Sequence, residues 1–202
     1  MATTLHFVRH AEHGLLGRVL AGRMEGVGLS EAGHAQAAAL AGSPALQEVS
    51  AVWSSPLQRS QQTAAPLADR LGLPVTVDPG LNEIDFGEWT GLGFDDLHSR
   101  PDWVAWNRLR SCNRVPGGES MGEAQGRALD ALWRLCRVVG DGEAVVVSHS
   151  DIIKAVLAHM LGLPVDLMQR LEIDPASRST VVFHGTDLRV CGVNLPAGAA
   201  GA

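Results

Sequence analysis

Leu5-His6-Phe7-Val8-Arg9-His10-Ala11-Glu12 begins as a short apolar run and stops abruptly at a cation and an imidazole. Leu5, Phe7 and Val8 favour a strand, polar Thr3 and Thr4 bound it, and Arg9-His10 ends it. A buried strand that ends this way delivers both side chains to the carboxyl end of a sheet, where open α/β sheets bind ligands. Arg offers a planar fork of donors that suits phosphate, and His titrates near neutrality. Taken alone, the pair reads more readily as a strand end meeting water. The rest of the chain decides between the two.

After this strand, Gly14 to Gly28 is glycine-rich, carries Arg18 and Arg23, and reads as a loop. Ser30 caps a helix running to about Ala41, with Ala35, Ala38, Ala39 and Leu40 as its small-residue face. Ala51-Val52-Trp53 is a second strand, followed by Ser54-Ser55-Pro56-Leu57-Gln58-Arg59. Pro56 suits the first turn of a helix that continues through Ala64 and Leu67 to Leu71. Leu73 to Val77 is a third strand. The alternation of strand and helix predicts a three-layer α/β/α sandwich, with a mostly parallel central sheet and helices on both faces.

From Asp78 to Gly118 the regular pattern breaks down. The segment is acidic and glycine-punctuated, with Trp103 and Trp106 in a short helix, and it predicts a helical lid over about 84–118 rather than a second domain. Ser120-Met121-Gly122-Glu123 is a capping box opening a helix with Ala128, Leu129, Leu132, Leu135 and Cys136 inward. Ala144-Val145-Val146-Val147 is the most apolar strand, and it ends in Ser148-His149-Ser150-Asp151. An amphipathic helix follows through Ile152, Ile153, Val156, Leu157, Met160 and Leu161 to Gly162. Val181-Val182-Phe183 and Leu188-Arg189-Val190 predict a closing hairpin around Gly185-Thr186-Asp187. A single domain over 1–194 and a disordered tail over 195–202 complete the expected organisation.

Composition narrows the function classes. The 202 residues are 46% hydrophobic and 19% charged, which suits one globular domain. A net charge of −6 argues against a general nucleic-acid binder. No apolar run reaches the roughly 20 residues of a membrane span, so a cytoplasmic protein is expected. Cys112, Cys136 and Cys191 suggest neither a disulfide framework nor a zinc knuckle. Lys154 is the only lysine, to which no function is assigned, and a homodimer stays open.

Arg9-His10, Arg59, Glu83 and His149 each follow a strand or open the next helix. With neighbouring strands they converge into a trap for a dianion. The ordered set resembles the histidine phosphatase superfamily, the phosphoglycerate mutase-like proteins, from Leu5 to about Leu161. The resemblance is carried by Arg9-His10-Ala11-Glu12, Gly22-Arg23, Leu29 to Ala37, Ser54 to Arg59 with Thr63-Ala64, Leu81-Asn82-Glu83, Phe86 to Gly91, Pro116 to Ser120, and Val147-Ser148-His149. It implies that His10 is the nucleophile that becomes phosphohistidine. Arg9, Arg59 and His149 then hold the phosphoryl oxygens, Arg23 and Ser150 add phosphate or substrate contacts, and Glu83 protonates the leaving group. It further implies a phosphomonoesterase acting on a small phosphorylated metabolite, with no metal and no cofactor. The alternatives are a cofactor-dependent phosphoglycerate mutase and a non-catalytic phospho-ligand binder.

The sequence departs from the family pattern in places. Ala11, His13 and Leu16 stand where many members have Gly, Thr and Asn, and Ser150 stands where Gly is common. The Asn often helps hold phosphate, which leaves Arg18 or Ser54 to replace it. The Ser150 hydroxyl is expected to cap the helix that begins near Asp151. Glu12 and His13 could line the pocket mouth or face water. A zinc site at His10, His13, Asp85 and His149 is disfavoured, because two arginines in one pocket repel a cation. His6, His159 and His184 read as packing residues, and His34 and His98 as surface.

Overall fold

The structure is a computed structural model in which residues 2–185 and 187–199 are described. In chain order it comprises β1 (Thr3–Arg9), α1 (Glu31–Ala41), β2 (Val49–Ser54), α2 (Gln58–Leu71), β3 (Val75–Val77), α3 (Phe94–His98), α4 (Pro101–Arg108), α5 (Met121–Val139), β4 (Gly142–Ser148), α6 (Ser150–Met160), β5 (Arg178–His184) and β6 (Asp187–Leu195). The strands form one six-stranded sheet in the order β3-β2-β4-β1-β5-β6. The first four in that order pair in parallel, and β5 and β6 close the sheet as an antiparallel hairpin.

β4 shows why the sheet is buried on both sides. Ala144 and Val146 face a cluster with Leu5, Phe7 and the inner residues of α5, α6 and the lid. Val145 and Val147 face the other way, against Val8, Leu40 of α1, and Ala64 and Leu67 of α2. A strand with both faces covered needs no polar alternation, hence its near-continuous valine run. Because β4 lies between β1 and β2, the ends Arg9, Ser54 and Ser148 stand side by side. The backbone N–H of His10 donates to the Ser148 carbonyl (2.9 Å), which carries that register one residue past β1.

The lid packs by aromatic edges. Trp89 meets Trp103 and Trp106 at centroid separations of 5.3 and 6.1 Å in T-shaped geometry. The Trp89 indole N–H donates to Asp102.

Some expectations need correction. The buried stripe of α1 is Gly33, Ala37, Leu40 and Ala41, while Ala35, Ala38 and Ala39 face solvent. Positions 33, 37, 40 and 41 lie on one helical face, and Gly33 selects that face by its contact with the loop after β1. Pro56 precedes the helix it was expected to open. Leu57 is extended and its N–H donates to Ser55 Oγ, so α2 begins at Gln58. β3 is confined to Val75–Val77. Leu161 caps α6 in the exposed position, and His159 and His184 are exposed rather than packed. Of the three packing histidines, His6 alone is buried, between Thr180 and Glu143. β6 runs to Leu195, and Ala197 packs against the cluster that holds Val8, so the disorder expected from residue 195 does not hold for these residues. Thr186 and the last three residues lie outside the described residues.

Gly33 gives a stability prediction whose sign is informative. A Cβ there would run into the Glu12 carbonyl oxygen, backbone that cannot swing aside. On helix propensity alone Gly→Ala stabilises by about 1 kcal/mol. With the clash, Gly33→Ala should instead destabilise by about 1–3 kcal/mol, seen as a Tm several degrees lower in calorimetry. A raised Tm would show that α1 and the loop after β1 do not touch.

Candidate active site

His10 sits just beyond the last residue of β1 and is 4% exposed. Its Nδ1 lies 2.8 Å from the Ala11 carbonyl oxygen. A carbonyl can only accept, so Nδ1 carries the proton and Nε2 is left with a free lone pair. Nε2 has no partner among the described residues, and His10 lines a cavity of about 300 Å³ together with Arg9, Arg59, Glu83 and Ser150. Burial, with the Arg59 and Arg9 guanidinium groups, holds the His10 pKa well below 6.5. The ring is therefore a neutral nucleophile at pH 7.

The two guanidinium groups are placed by backbone. Arg9 Nη1 donates to the Ile173 carbonyl (2.7 Å), and Arg59 Nη2 donates to the Gly22 carbonyl (2.7 Å). Arg9 Nε and Arg59 Nε and Nη1 are buried with no partner among the described residues. Unmade bonds at buried cations are costly. Phosphoryl oxygens are acceptors that would satisfy them.

His149, fully buried at the amino terminus of α6, lies 5.1 Å from the His10 ring. Its Nε2 is held 2.7 Å from Ser55 Oγ, and its Nδ1 faces Arg59 at 3.4 Å and Glu83 at 3.9 Å. It stands beneath the cavity and does not line it. Burial first, then Arg59, keeps its pKa well below 6.5.

Glu83 comes from the loop after β3 and is 13% exposed. Its loop is clamped: Arg127 donates to the carbonyls of Gly80, Asn82 and Glu83 and to the Glu119 carboxylate. Burial and the neighbouring Asp151 carboxylate raise the Glu83 pKa to about 7. Asp151 itself stays ionised, held low by Arg110, which pairs with it at 2.8 Å. The site therefore has one carboxyl poised to give a proton and another fixed as an anion.

The structure brings Arg9, His10, Arg59, Glu83 and His149 together, and puts Ser150 on the cavity wall as the first residue of α6. The Ser150 hydroxyl is not a helix cap, because His149 occupies that position. Arg23 is drawn elsewhere. Its Nε donates to the Glu83 carbonyl (2.8 Å) and its other nitrogens pair with Glu119 and Asp85, which makes it a brace for the Glu83 loop rather than a cavity residue. Neither proposed replacement for the missing Asn reaches the site. Arg18 is exposed and donates to the Gly14 carbonyl, and Ser54 donates to the Ser55 carbonyl. Glu12 accepts from Ser30 at the start of α1, away from the cavity.

Other residues complete the wall unannounced. Asn107, Arg110, Asp151 and Gln169 form a polar end, and Leu16, Leu20, Phe86, Phe94 and Trp103 an apolar side. Of these, Asp151 was the most findable, sitting two residues past His149. No group of three or more His, Cys, Asp or Glu among the described residues is arranged to hold a metal ion. No helix among them is long and apolar enough to cross a membrane.

The profile of the histidine phosphatase superfamily (branch 1) matches residues 5–196. The chain belongs to that superfamily. An uncharacterized protein of Mycobacterium tuberculosis, Rv0525, is 38% identical over 189 residues, covering 92% of this chain and 89% of its own. A probable phosphoglycerate mutase, GpmB, of Yersinia pestis is 33% identical over 161 residues, covering 77% and 74%. Among solved structures, the mycobacterial glucosyl-3-phosphoglycerate phosphatase Rv2419c superposes with a TM-score of 0.85 at 29% identity, over 96% of this chain and all of that one. Superfamily membership accords with the six-stranded sheet and with the order of Arg9-His10, Arg59, Glu83 and His149 along the chain.

Proposed function

We propose that the chain is a metal-independent phosphomonoesterase that works through a phosphohistidine at His10 on a small phosphorylated metabolite. The observation that carries this reading is the free Nε2 of a neutral His10, in one cavity lining with two arginines that hold buried, unsatisfied N–H groups. Nε2 attacks phosphorus, and the ester oxygen departs on the opposite side with the proton of the Glu83 carboxyl. Arg9 and Arg59 offset charge on the equatorial oxygens, which is most of what phosphoryl transfer requires, and His149 beneath them packs against the Arg59 guanidinium. Water then attacks the phosphohistidine, Glu83 takes its proton, and inorganic phosphate and free His10 are restored.

Hydrolysis of a generic aryl phosphate, with release of phosphate, tests the proposal. No turnover by the folded protein would leave phospho-ligand binding as the reading. The mutase reading draws support from the GpmB relative, and positional exchange of phosphate on glycerate exceeding hydrolysis would establish it instead. Because guanidinium groups supply the positive charge, activity should survive exhaustive chelation. Loss on EDTA with rescue by Zn²⁺ or Mg²⁺ would contradict this.

A further inference from the structure

We propose that His13 is a catalytic residue of this site: its neutral Nε2–H donates a hydrogen bond to an oxygen of the phosphoryl group as that group passes to His10. The proposal rests on the phosphatase reading above and deepens it.

Four observations converge. His13 is 5% exposed, and its ring stands 5.3 Å from the His10 ring. Its backbone is pinned by a bridge to Leu29, which fixes where the ring is rooted. The Leu15 N–H donates to its Nδ1 (3.3 Å), so in the neutral ring the proton must be on Nε2. That Nε2 has no partner among the described residues, and His13 is one of the residues that line the cavity. A donor on a residue that lines the cavity, with no partner in the protein, is available to an acceptor bound there.

The surrounding wall makes His13 the obvious source. The loop 13–22 lines the cavity with His13, Leu16, Gly17, Val19, Leu20, Ala21 and Gly22, and of these side chains only that of His13 is polar. Arg59, Arg9 and Glu12 are the charged groups that bear on it. Burial and the two arginines outweigh Glu12 and lower its pKa to about 4. The donor is therefore uncharged across the working range and would keep its hydrogen bond from about pH 5 upward. The bland reading is that His13 merely props the His10 ring. A prop needs shape; a donor needs an N–H.

Two variants separate these. His13→Phe keeps a ring without a donor, and His13→Gln replaces the ring with a flexible amide N–H. Aryl phosphate hydrolysis and inhibition by orthovanadate, which mimics the five-coordinate transition state, are measured at pH 5.5 and 7.5. His13→Phe should lose about 10- to 100-fold in kcat/KM and a similar factor in vanadate affinity. Inorganic phosphate should weaken less, the loss should be equal at the two pH values, and His13→Gln should recover most of it. Phe within twofold of wild type, or Gln no better than Phe, would overturn the donor role. Should His13→Phe fail to fold, His13→Ala takes its place with the same thresholds. If wild type hydrolyses no aryl phosphate, the phosphatase reading falls, and vanadate affinity alone decides His13: a tenfold loss in the Phe variant upholds the donor, and a change within twofold removes it.

Discussion

His10→Ala should reduce turnover to near the uncatalysed background, a loss on the order of 10⁴-fold or more, as expected when a covalent nucleophile is removed. With labelled substrate and rapid quenching, wild type should carry acid-labile, base-stable label and the variant none. The expectation follows from the tautomer. The Ala11 carbonyl takes the Nδ1 proton, so Nε2 is the only lone pair the ring can offer, and His10 lines the cavity. Alanine leaves the arginines in place, so phosphate binding should persist. That separates loss of the nucleophile from collapse of the pocket. Substantial residual turnover in a folded His10→Ala protein would refute the assignment, whatever happens to binding.

The second large effect depends on the substrate. A protonated Glu83 matters in proportion to how badly the departing oxygen needs a proton. An alkoxide leaves poorly, and a nitrophenolate leaves readily. Glu83→Gln should slow phosphoryl transfer from a sugar or glycerol phosphate by about 10²–10⁴-fold, and from an activated aryl phosphate much less. Single-turnover phosphorylation rates are the measurement, so that slow dephosphorylation cannot hide the difference. Equal losses on both substrates would reduce Glu83 to a brace for the arginines. The pH profile follows from the same group. The acid form prevails below its pKa of about 7, so kcat/KM for alkyl phosphates should fall as pH rises through neutrality. His10 stays neutral down to well below pH 6.5, which places the acidic limb lower still. Because Asp151 helps hold Glu83 protonated, Asp151→Asn should move the basic limb to lower pH.

Much of this site was legible because strand ends are readable. An apolar run that stops at Arg9-His10, or at Ser148-His149, announces both the strand and what it delivers. Arg59 could be placed because a helix start follows β2, and Glu83 because it follows β3 in a matching motif. Arg23 was assigned to phosphate and found bracing the Glu83 loop, since a motif gives an arginine's position but not the direction of its long side chain. The buried face of α1 is hidden from the sequence for a related reason. In an alanine-rich helix every side looks alike, and only the approach of Gly33 to the Glu12 carbonyl chooses one.

The sequence by itself determined the alternation of strands and helices, the two-sided burial of β4 and the residue types of the phosphoryl site. Each of these depends on local pattern: runs of β-branched residues, caps and polar stops. Only the tertiary structure decided which nitrogen of each imidazole is free, which carboxyl is protonated and which is ionised, and that His13, Arg110 and Asp151 line the cavity. The carboxyl states and the cavity wall belong to pairs of groups far apart in the chain, such as Arg110 with Asp151 and Arg127 with the Glu83 carbonyl. The tautomers of His10 and His13 are set by the near neighbours Ala11 and Leu15 through the turn geometry of the loop. Hydrogen bonding and desolvation act through space at a few ångströms, and a linear pattern does not carry those distances.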